Sequence, residues 1–516
     1  MRVFKKVTDL KTFKNRPLLP IFMPKTKEPK KDQKKEIGIT IKKEEEFGEW
    51  FSQIITKAEL VEYTDVSGCY VFRPNSYSIW EKVQAFMDSE FRKLGVRNAY
   101  FPLFIPEKLL NREKEHVEGF TPEVAWVTHT GESKLSERLA IRPTSETIMY
   151  DSYKKWIRSW RDLPLKINQW CNVVRWEFKN PVPFIRSREF LWQEGHTAHR
   201  TKDEAEKEVF QILDIYEKTY NDLYAMPCIK GFKTEKEKFA GALYTTTIEI
   251  FLPNGKSAQA CTSHCLGQNF AKAFDISFLD EKEEKQHVWQ NSWGYSTRSM
   301  GIMICMHSDN KGLVLPPRVA STQAVIVPIT FADSKEKVLS KAREVKKCLE
   351  SEGISVVLDD RDELTPGWKF NEWEMKGIPL RIEVGPKDVE KDQAVIVRRD
   401  NGKKDFVKTA DLGKKAKEAL EQMHKDLYDR ALRLRQDNEA EAKEFHELTK
   451  AIKDRKLVKA AWCSSTECEE MIKDKTGGAK IICIPFGKDM DRKEAKGRCV
   501  CCGKPAKYEV YIAKSY

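Results

Sequence analysis

Arginines far apart in the chain could do chemistry on a phosphate. Arg175 begins an Arg-Trp-Glu segment, Arg186 and Arg188 lie in the loop after it, and Arg318 follows two prolines much further along. A guanidinium binds phosphate and carboxylate oxygens through two parallel hydrogen bonds. Attack of a carboxylate on the α-phosphate of a nucleoside triphosphate needs positioning and charge neutralisation more than proton transfer. These arginines therefore predict a site that binds phosphate or carboxylate groups.

The cysteines near the end of the chain predict a metal site. Cys463 and Cys468 form one close pair, and Cys499 forms a second with either Cys501 or Cys502. Two such pairs suit tetrahedral zinc–thiolate ligation. Four thiolates leave no position for water, so the site would be structural.

The composition excludes several classes of protein. The 516 residues are 40% apolar and 33% charged, and no apolar run approaches the roughly 20 residues that cross a bilayer. The N-terminus lacks a secretory apolar core, and thirteen cysteines without one argue against a disulfide framework. Neither a Gly-rich phosphate loop nor a Gly-x-Ser-x-Gly motif occurs. We expect a cytoplasmic protein with no membrane association.

The first 35 residues carry most of the net charge. They hold 12 Lys/Arg against 3 Asp/Glu, a difference of nine out of the net charge of +12. Their low apolar content predicts a flexible basic leader. This leader could attract an RNA backbone or simply stay solvated, so the net charge says little about the folded domains.

Residues 36–322 have the pattern of a mixed domain that would position the arginines. A helix is predicted at 79–94, followed by a strand at 99–104 that contains Pro102. One further clear helix covers 203–224, and strand-like runs occur at 173–178, 190–192, 248–252 and 314–315. Strands with few alternating helices predict an α+β fold on an antiparallel sheet.

Residues 323–425 alternate between strands and helices, which predicts a compact α/β domain. The predicted order is a strand at 324–329, a helix at 335–352, a strand at 354–358, a helix near 368–376 and strands at 380–384 and 394–397. A charged helix at about 411–445 leads to a small C-terminal α+β domain, residues 426–516, that contains the cysteine pairs.

Taken together, the arginine motifs resemble those of the class II aminoacyl-tRNA synthetases. The segment beginning at Arg175 is similar to motif 2, a strand–loop–strand with Arg-x-Glu, and the segment ending at Arg318 is similar to motif 3. The resemblance implies that Arg175 bridges the amino acid carboxylate and the α-phosphate, near Glu177. It also implies that Arg186 and Arg318 hold the terminal phosphates of ATP, while Phe190 and Arg318 cover the two faces of adenine.

Three segments narrow the resemblance to prolyl-tRNA synthetases of archaeal and eukaryotic type, which implies L-proline and tRNA(Pro) as substrates. They are Arg142-Pro143-Thr144-Ser145-Glu146-Thr147, Trp192-Gln193-Glu194-Gly195-His196 and Cys261-Thr262-Ser263-His264. Thr144 and Glu146 can accept hydrogen bonds from the secondary amine, and flat ring faces would wall the proline ring. Cysteines on both sides of His264 leave a metal site open as an alternative to a packed, neutral imidazole.

The resemblance implies two sets of site residues, with Mg²⁺ bound by acidic side chains that the sequence does not identify. The ATP set is Arg175, Glu177, Arg186, Phe190, Gln259, Thr262, Ser296, Thr297, Arg298 and Arg318. The proline set is Thr144, Glu146, Arg175, Trp192, Glu194, His196, Ser263, His264 and Trp293. Arg175, Glu177 and Arg318 would be the catalytic residues.

The α/β domain is similar to the anticodon-binding domain of these enzymes. Proline anticodons end in two guanines, and arginine or lysine reads guanine edges. Unstacked bases favour arginines interleaved with aromatic residues. The expected contacts with tRNA are Asp360, Arg361, Lys369 and Arg381.

Two further expectations rest on the resemblance. The zinc module of the family has a Cys-x-Cys pair in its eukaryotic form, which favours Cys463, Cys468, Cys499 and Cys501 as the ligands of a structural Zn²⁺. The helix at 79–94 and the strand around Pro102 are similar to motif 1, the dimer element, which implies a two-fold homodimer.

Several points stay open at this stage. The segment between motifs 2 and 3 has no room for the bacterial-type editing insertion, so we expect some activation of alanine, corrected by a separate protein. A multisynthetase or editing partner is not identified. The rival assignments are a synthetase for threonine, serine or glycine, and a catalytically silent relative that binds tRNA.

Overall fold

A computed structural model describes residues 38–116 and 123–516. The basic leader predicted at 1–35 lies outside the described residues. No helix in the described part of the chain is long and apolar enough to span a bilayer.

The described part of residues 38–307 carries most of the strands. Its helices are α1 Phe47–Lys57, α2 Pro74–Lys93, α3 Glu107–His116, α4 Glu146–Trp156, α5 Lys202–Asp222, α6 Asn269–Phe274 and α7 Arg298–His307. Its strands are β1 Val61–Tyr63, β2 Tyr70–Phe72, β3 Arg97–Asn98, β4 Phe104–Pro106, β5 Trp126–Thr130, β6 Ser133–Ile141, β7 Leu165–Val174, β8 Glu189–His199, β9 Ile229–Phe232, β10 Tyr244–Phe251, β11 Lys256–Gly267, β12 Ser277–Leu279, β13 Lys285–His287 and β14 Trp289–Ser296.

The rest of the chain forms a separate five-stranded sheet and adds four strands to the large sheet of the preceding region. Residues 324–438 form β15 Ala324–Pro328, α8 Lys335–Ser351, β16 Val356–Leu358, α9 Pro366–Met375, β17 Leu380–Val384, α10 Pro386–Glu390, β18 Gln393–Arg398, β19 Lys404–Lys408 and α11 Leu412–Asn438. Residues 439–515 form β20 Glu439–Ala442, α12 Phe445–Lys453, β21 Leu457–Trp462, α13 Thr466–Lys475, β22 Ala479–Pro485 and β23 Tyr508–Ser515.

A single eleven-stranded sheet is the backbone of the molecule. Its order is β20-β21-β23-β22-β9-β10-β11-β14-β8-β7-β3, and the central strands from β9 to β7 are antiparallel. The α+β class with an antiparallel sheet is confirmed. Helix α5 lies against this sheet through buried apolar residues such as Ile212, Tyr216 and Tyr220.

The predicted helices are confirmed within about two residues at most ends. For α5, Thr201 forms a capping box with Glu204, which explains why the helix begins at Lys202. The helix predicted at 79–94 is α2, which begins five residues earlier with Pro74 at its first position and is followed by Gly95 at φ +77.

Three predicted strands differ from the structure. The run at 99–104 is not one strand, because the chain leaves the large sheet after β3 and joins β6 through β4, with Pro102 between them. The run at 173–178 mostly follows β7, which ends at Val174. No strand forms at 314–315, where the main-chain N–H of Leu313 donates to the carbonyl of Met375 in another domain.

The α/β region forms its own five-stranded sheet in the order β16-β15-β17-β18-β19. β15 is parallel to both neighbours, and the β17–β18 and β18–β19 pairs are antiparallel. The predicted strands and helices of this region are confirmed, because apolar runs alternate with helical segments along the sequence.

The C-terminal strands continue the large sheet instead of forming a separate one. β22 pairs with β9 through Ile484 and Phe232, and β23 lies between β21 and β22. The approach is close at Gly231, where a Cβ would lie 2.3 Å from the carbonyl oxygen of Ile484. The boundary predicted at 425/426 falls inside α11, so a continuous helix joins the last two regions.

Candidate active site

A cavity of about 270 Å³ lies on one face of β8, β11 and β14. Thirteen predicted residues line it: Thr144, Glu146, Arg175, Phe190, Trp192, Glu194, His196, Gln259, Thr262, His264, Trp293, Ser296 and Arg298. An adjoining cavity of about 220 Å³ shares Glu237, Gln259 and Arg298 with the first, and Arg186 lies in its wall.

Strand alternation decides which side chains face the cavity. On β8 the cavity-facing residues are Trp192, Glu194 and His196, and on β11 they include Thr262 and His264. The intervening Ser263 is fully buried and does not line the cavity. Its prediction as a proline-binding residue is therefore corrected, because its side chain lies on the opposite face of the sheet.

The start of α4 brings hydroxyl and carboxylate groups to one wall of the cavity. The Thr144 hydroxyl donates a short hydrogen bond to Glu146, and the Ser145 hydroxyl donates one to Glu194. Arg142, buried just before them, does not face the cavity: it donates to the carbonyl oxygens of Phe101 and Asn172, each at 2.8 Å. Arg142 thus fixes this turn.

Glu194 and His196 form a buried pair on β8, with 3.2 Å between Glu194 Oε2 and His196 Nε2. Burial opposes ionisation of Glu194, but hydrogen bonds from His196, Ser145 and Gln169 outweigh it and hold the pKa of Glu194 below its ordinary value. Burial also disfavours the imidazolium, yet Glu146 and Glu194 together raise the pKa of His196. The pair therefore places a carboxylate and an imidazole in contact in the cavity wall, and each favours the charged form of the other.

His264 is neutral. Its ring nitrogens lie 2.9 Å from the Thr245 hydroxyl and 3.0 Å from the Thr262 hydroxyl, and Phe239 packs beside the ring at 4.8 Å. Burial, with the nearby positive charges of His196 and Arg175, lowers the pKa of His264 to about 3. Among the described residues, the groups of close metal-ligand atoms do not include His264 with its flanking cysteines. The packed imidazole is the favoured interpretation.

Three guanidinium groups meet near the join of the two cavities. Arg175 Nε donates to the carbonyl of Pro143 at 3.0 Å, and Arg298 Nε donates to the carbonyl of Ile185 at 2.9 Å. Burial lowers the pKa of Arg298, and the charges of Arg175 and Arg186 lower it further. In the described part of the chain, none of the three has a carboxylate within 4 Å.

Arg318 is not part of this group. It lies in a turn outside both cavities, where its guanidinium binds Glu421 at 2.8 Å and the carbonyl of Asp222 at 3.3 Å. The strand–helix unit with an arginine is β14 followed by α7, which begins at Arg298. The assignment of the motif 3 arginine to Arg318 is therefore corrected to Arg298.

Two other predicted residues lie outside the cavities. Glu177 is exposed in the loop after β7, where its charge acts on Arg175 without a close contact. Thr297 is fully buried behind α7.

Gly195 is needed because the ring of Trp293, a residue that also lines the cavity, packs directly against its backbone. A Cβ at Gly195 would lie 2.1 Å from the Trp293 ring, so no larger residue fits without displacing the indole. Phe91 of α2 packs on the other side at 4.9 Å. Trp293 thus supports the strand that carries Glu194 and His196.

A buried ion pair lies in the second cavity. Lys233 Nζ is 2.9 Å from Glu249 and donates to the carbonyl of Ile482 in β22 at 2.9 Å. Burial disfavours the charged lysine, but Glu249 reverses the effect and raises the pKa of Lys233. Tyr516 also reaches this wall, so the C-terminal region contributes to the cavity.

The predicted anticodon residues fall into two groups. Arg361 and Lys369 both bind Asp359, the guanidinium through two hydrogen bonds of 2.7 Å and the ammonium through the carbonyl oxygen at 3.0 Å. Asp360 is exposed next to them. Arg381 lies elsewhere: it stacks on Phe370 and lines a cavity of about 290 Å³ that the other three do not reach.

The cysteine cluster includes Cys502 and not Cys501. The sulfur atoms of Cys463, Cys468, Cys499 and Cys502 all lie within 4.8 Å of one another. Cys501 Sγ instead lies 3.7 Å from the main-chain oxygen of Cys468. The choice of Cys501 is therefore corrected, because the turn at 499–502 directs the second thiol of the adjacent pair into the cluster.

Sequence reasoning missed several residues of the cavity walls, among them Glu237, Phe239 and Thr245. Each is of a common type outside any motif. The one available signal was the β-branched run at 245–247, which predicts a strand but no site.

Comparison with known proteins places these features in a family. The family model "tRNA synthetase class II core domain (G, H, P, S and T)" matches residues 127–307, "Anticodon binding domain" matches 323–419, and "Prolyl-tRNA synthetase, C-terminal" matches 445–516.

Similar proteins agree over most of the chain. The cytoplasmic proline–tRNA ligase of Arabidopsis thaliana is 52% identical over 94% of this chain and 93% of its own. The proline–tRNA ligase of Acetoanaerobium sticklandii is 50% identical over 94% of this chain and 100% of its own. A crystal structure of prolyl-tRNA synthetase from Cryptosporidium parvum, complexed with halofuginone and AMPPNP, matches with a TM-score of 0.89 and 49% identity, covering 93% of this chain and 100% of that one.

Proposed function

The chain belongs to the prolyl-tRNA synthetase family and is a proline–tRNA ligase, and we propose that the two adjoining cavities are its proline and ATP sites. The enzyme activates L-proline with ATP and transfers the prolyl group to the 3' end of tRNA(Pro). The observation that carries the proposal is the meeting of three guanidinium groups, free of carboxylate partners within 4 Å among the described residues, beside a pocket walled by rings.

In the proposed activation step, Arg175 holds the proline carboxylate against the α-phosphate. Arg186 and Arg298 neutralise the terminal phosphates, and Phe190 and Arg298 cover the two faces of adenine. The carboxylate of the substrate is itself the nucleophile, so the protein supplies positioning and charge. Unpaired guanidinium groups that are already in place suit this task, because they need no rearrangement when charge develops.

The proline amine is proposed to bind Glu146 and Thr144, with the ring between Trp192 and His264. A neutral imidazole gives an apolar wall, and its nitrogens are already occupied by threonine hydroxyls. Such a slot has no free hydroxyl reader for serine or threonine, which favours proline. Alanine differs by only a few methylenes and should be rejected weakly, about 10–200-fold, so a separate editing protein is expected.

Mg²⁺ accompanies ATP in class II synthetases. When bound, it would take oxygen ligands from one or two protein carboxylates and from the substrate phosphates. Glu237 and Gln259 line both cavities and carry oxygen atoms of this kind, and we propose them as its protein contacts. Lys480 lies 3.2 Å from both Glu237 carboxylate oxygens, so Mg²⁺ would compete with that ion pair.

The thiol cluster is proposed to hold a structural Zn²⁺. Tetrahedral ligands 2.3 Å from zinc lie about 3.8 Å apart. The recorded sulfur separations fit this value: 3.6 Å for Cys463–Cys468, 3.9 Å for Cys468–Cys499 and 3.7 Å for Cys463–Cys502. Zinc would tie the turn at 499–502 to the start of α13.

The choice between Cys501 and Cys502 gives a direct test of this site. Cys502→Ser should lower the zinc content of the purified protein well below one per chain, whereas Cys501→Ser should leave it near one. Metal analysis of both variants measures this. Full zinc in Cys502→Ser would contradict the proposed ligand set.

The remaining proposals concern assembly and location. Tyr100, Phe104 and Trp156 are 70%, 44% and 49% exposed near the motif 1 segment, which supports a two-fold homodimer that covers them. A monomer in sedimentation equilibrium at micromolar concentration would contradict it. We also propose a cytoplasmic location, a catalytic domain at 36–322, tRNA contacts through the α/β region that follows it, and a zinc domain that begins after α11 instead of at residue 426.

Amino-acid-dependent pyrophosphate exchange tests the function as a whole. Proline should support exchange far better than alanine, and threonine, serine and glycine should support almost none. Exchange with threonine, serine or glycine at the rate seen with proline would point to another synthetase. No exchange with any amino acid would point to the silent relative.

A further inference from the structure

The join between the catalytic and α/β regions contains a forked ion pair outside the substrate cavities, with a buried arginine and a half-exposed aspartate. Asp309 follows the end of α7, and Arg399 follows β18. The two guanidinium nitrogens of Arg399 lie 2.8 and 2.7 Å from the two carboxylate oxygens of Asp309, and the arginine side chain is only 3% exposed. Bidentate pairing of this kind fixes direction as well as distance.

Asp309 is attached to a helix whose other end carries a proposed ATP ligand. α7 has ten residues and begins at Arg298, so its ends are about 15 Å apart. Its residues from 299 to 307 are all buried. His307 donates to the carbonyl of Tyr224 at 2.7 Å, and Lys43 donates to the carbonyl of Ser308 at 2.8 Å. A packed helix held in this way moves as one piece.

The main chain around Asp309 is pressed against the α/β region. Leu313 N–H donates to the carbonyl of Met375 at 3.0 Å. Gly312 has φ +141, and a Cβ there would lie 2.6 Å from Met375 Cα. Gly377 has φ +74, and a Cβ there would lie 2.6 Å from the carbonyl oxygen of Leu313. The main chain at the end of α9 therefore packs directly against the segment that follows α7, with no room for a side chain between them.

Arg399 also lines the 290 Å³ cavity of the α/β region, together with Phe370, Trp373 and Arg381. Its Nε donates to the carbonyl of Glu374 at 2.8 Å. A guanidinium has five N–H donors, and these contacts use three of them. Two donors are left for a further acceptor while Asp309 stays bound, and Arg399 is one of the residues that line the cavity.

We propose that Asp309 is a positioning residue that links this cavity, occupied by an unstacked anticodon base, to the placement of Arg298 on ATP. A base that accepts the two spare donors holds Arg399 in the orientation that binds Asp309. The end of α7 is then fixed, and Arg298 with it. The inference rests on the proposed roles of Arg298 and of the α/β region.

Linkage between tRNA and ATP tests the inference. The probe is a tRNA(Pro) transcript ending in dideoxyadenosine, which binds but cannot accept proline. In the wild-type protein, saturating probe should lower the KM for ATP in pyrophosphate exchange by about fivefold. Asp309→Asn should bring that ratio close to one, and Asp309→Glu should restore part of it.

Glu59→Gln is the matched control. Glu59 forms another ion pair between the two regions, 3.4 Å from Lys376, but it does not contact α7 or the cavity. This variant should keep the wild-type ratio. An unchanged ratio in Asp309→Asn, or a ratio of one in the wild type, overturns the inference.

Two measurements separate this result from other failures. Thermal melting shows whether Asp309→Asn is folded, and a folded variant that loses exchange even without tRNA would mean that Asp309 only supports the helix, which also overturns the inference. Filter binding of the probe to the wild type, and tRNA-free exchange by the wild type, test the proposed function separately. Loss of either would refute that function.

Discussion

The arginines of the catalytic cavity and those of the α/β region differ in what neutralises them. In the cavity, Arg175 and Arg298 donate to main-chain carbonyl oxygens. In the α/β region, Arg361 binds Asp359 and Glu372, and Arg398 binds Asp400 and Asp426. Arginine therefore has two roles in this protein: a cation without a carboxylate partner in the cavity, and a partner of carboxylates in the α/β region.

The difference indicates that the catalytic cavity, and not the Arg361 and Arg398 sites of the α/β region, is suited to bind an anion. Guanidinium groups gathered without carboxylates repel one another, and a triphosphate relieves that repulsion when it binds. A guanidinium already neutralised by two carboxylates gains less electrostatic energy from an RNA phosphate than one without a carboxylate partner. Arg361 and Lys369, both held by Asp359, are therefore better suited to shaping the domain than to reading a base.

Removing a cavity arginine should have the largest effect. Arg298→Ala should lower kcat/KM for ATP in pyrophosphate exchange by about 10³-fold, because a guanidinium on the transferring phosphates is lost. Arg318→Ala is the control. Its guanidinium is exposed and paired with Glu421, so that variant should stay within about twofold of the wild type. An equal loss of kcat/KM in the two variants would contradict the proposal that Arg298 binds ATP and Arg318 does not.

Removing the Asp359 carboxylate, which lies beside Arg361 and Lys369, should have the next largest effect. Asp359→Ala removes the carboxylate that binds Arg361 and lies 3.8 Å from Lys369, although Lys369 keeps its hydrogen bond to the main-chain carbonyl of residue 359. The variant should lower the local stability of α9 by about 3 kcal/mol. Hydrogen exchange of the peptide amides in residues 366–375 measures the change.

A nearby exposed pair provides the control for that variant. Asp362 binds Lys335 with both side chains well exposed, so Asp362→Ala should change the same protection by less than about 1 kcal/mol. A null effect of Asp359→Ala would show that the pairing is not what holds α9.

Lowering the pH should reduce the stability of α9 by less than Asp359→Ala does. Burial disfavours the Asp359 carboxylate, but Arg361, Trp373 and Lys369 outweigh it and lower its pKa from 3.8 to about 2. A lowered folded-state pKa contributes stability above pH 4, and that contribution of about 2 kcal/mol is lost as the pH falls from about 4 to about 2. Protection of α9 should decline over this window in the wild type. Asp359→Asn should lack that step.

The sequence allowed more of the fold to be predicted than of the site's details. Local patterns identified α5, α8 and β17, because their periodicity and caps lie within a few residues. Register across the large sheet could not be predicted, since pairing such as β22 with β9 joins residues more than 200 positions apart and leaves no local signal.

The errors at the site have specific physical origins. Arg318 follows an apolar run with two prolines that looks like a strand, but its neighbours hydrogen-bond to α9 instead. Adjacent Cys501 and Cys502 differ only in the direction set by their turn. Ser263 was chosen from a contiguous motif, although alternate residues of a strand face opposite sides.

The pairing of β22 with β9 has a further consequence for how the protein can be divided. A chain ending after α11 would leave the edge of β9 open, with the main-chain groups of Gly231 and Phe232 unpaired and Lys233 without its carbonyl partner. An open, apolar edge of that kind recruits strands from other molecules. A shortened form should therefore tend to self-associate, because the C-terminal region covers the edge of the catalytic sheet.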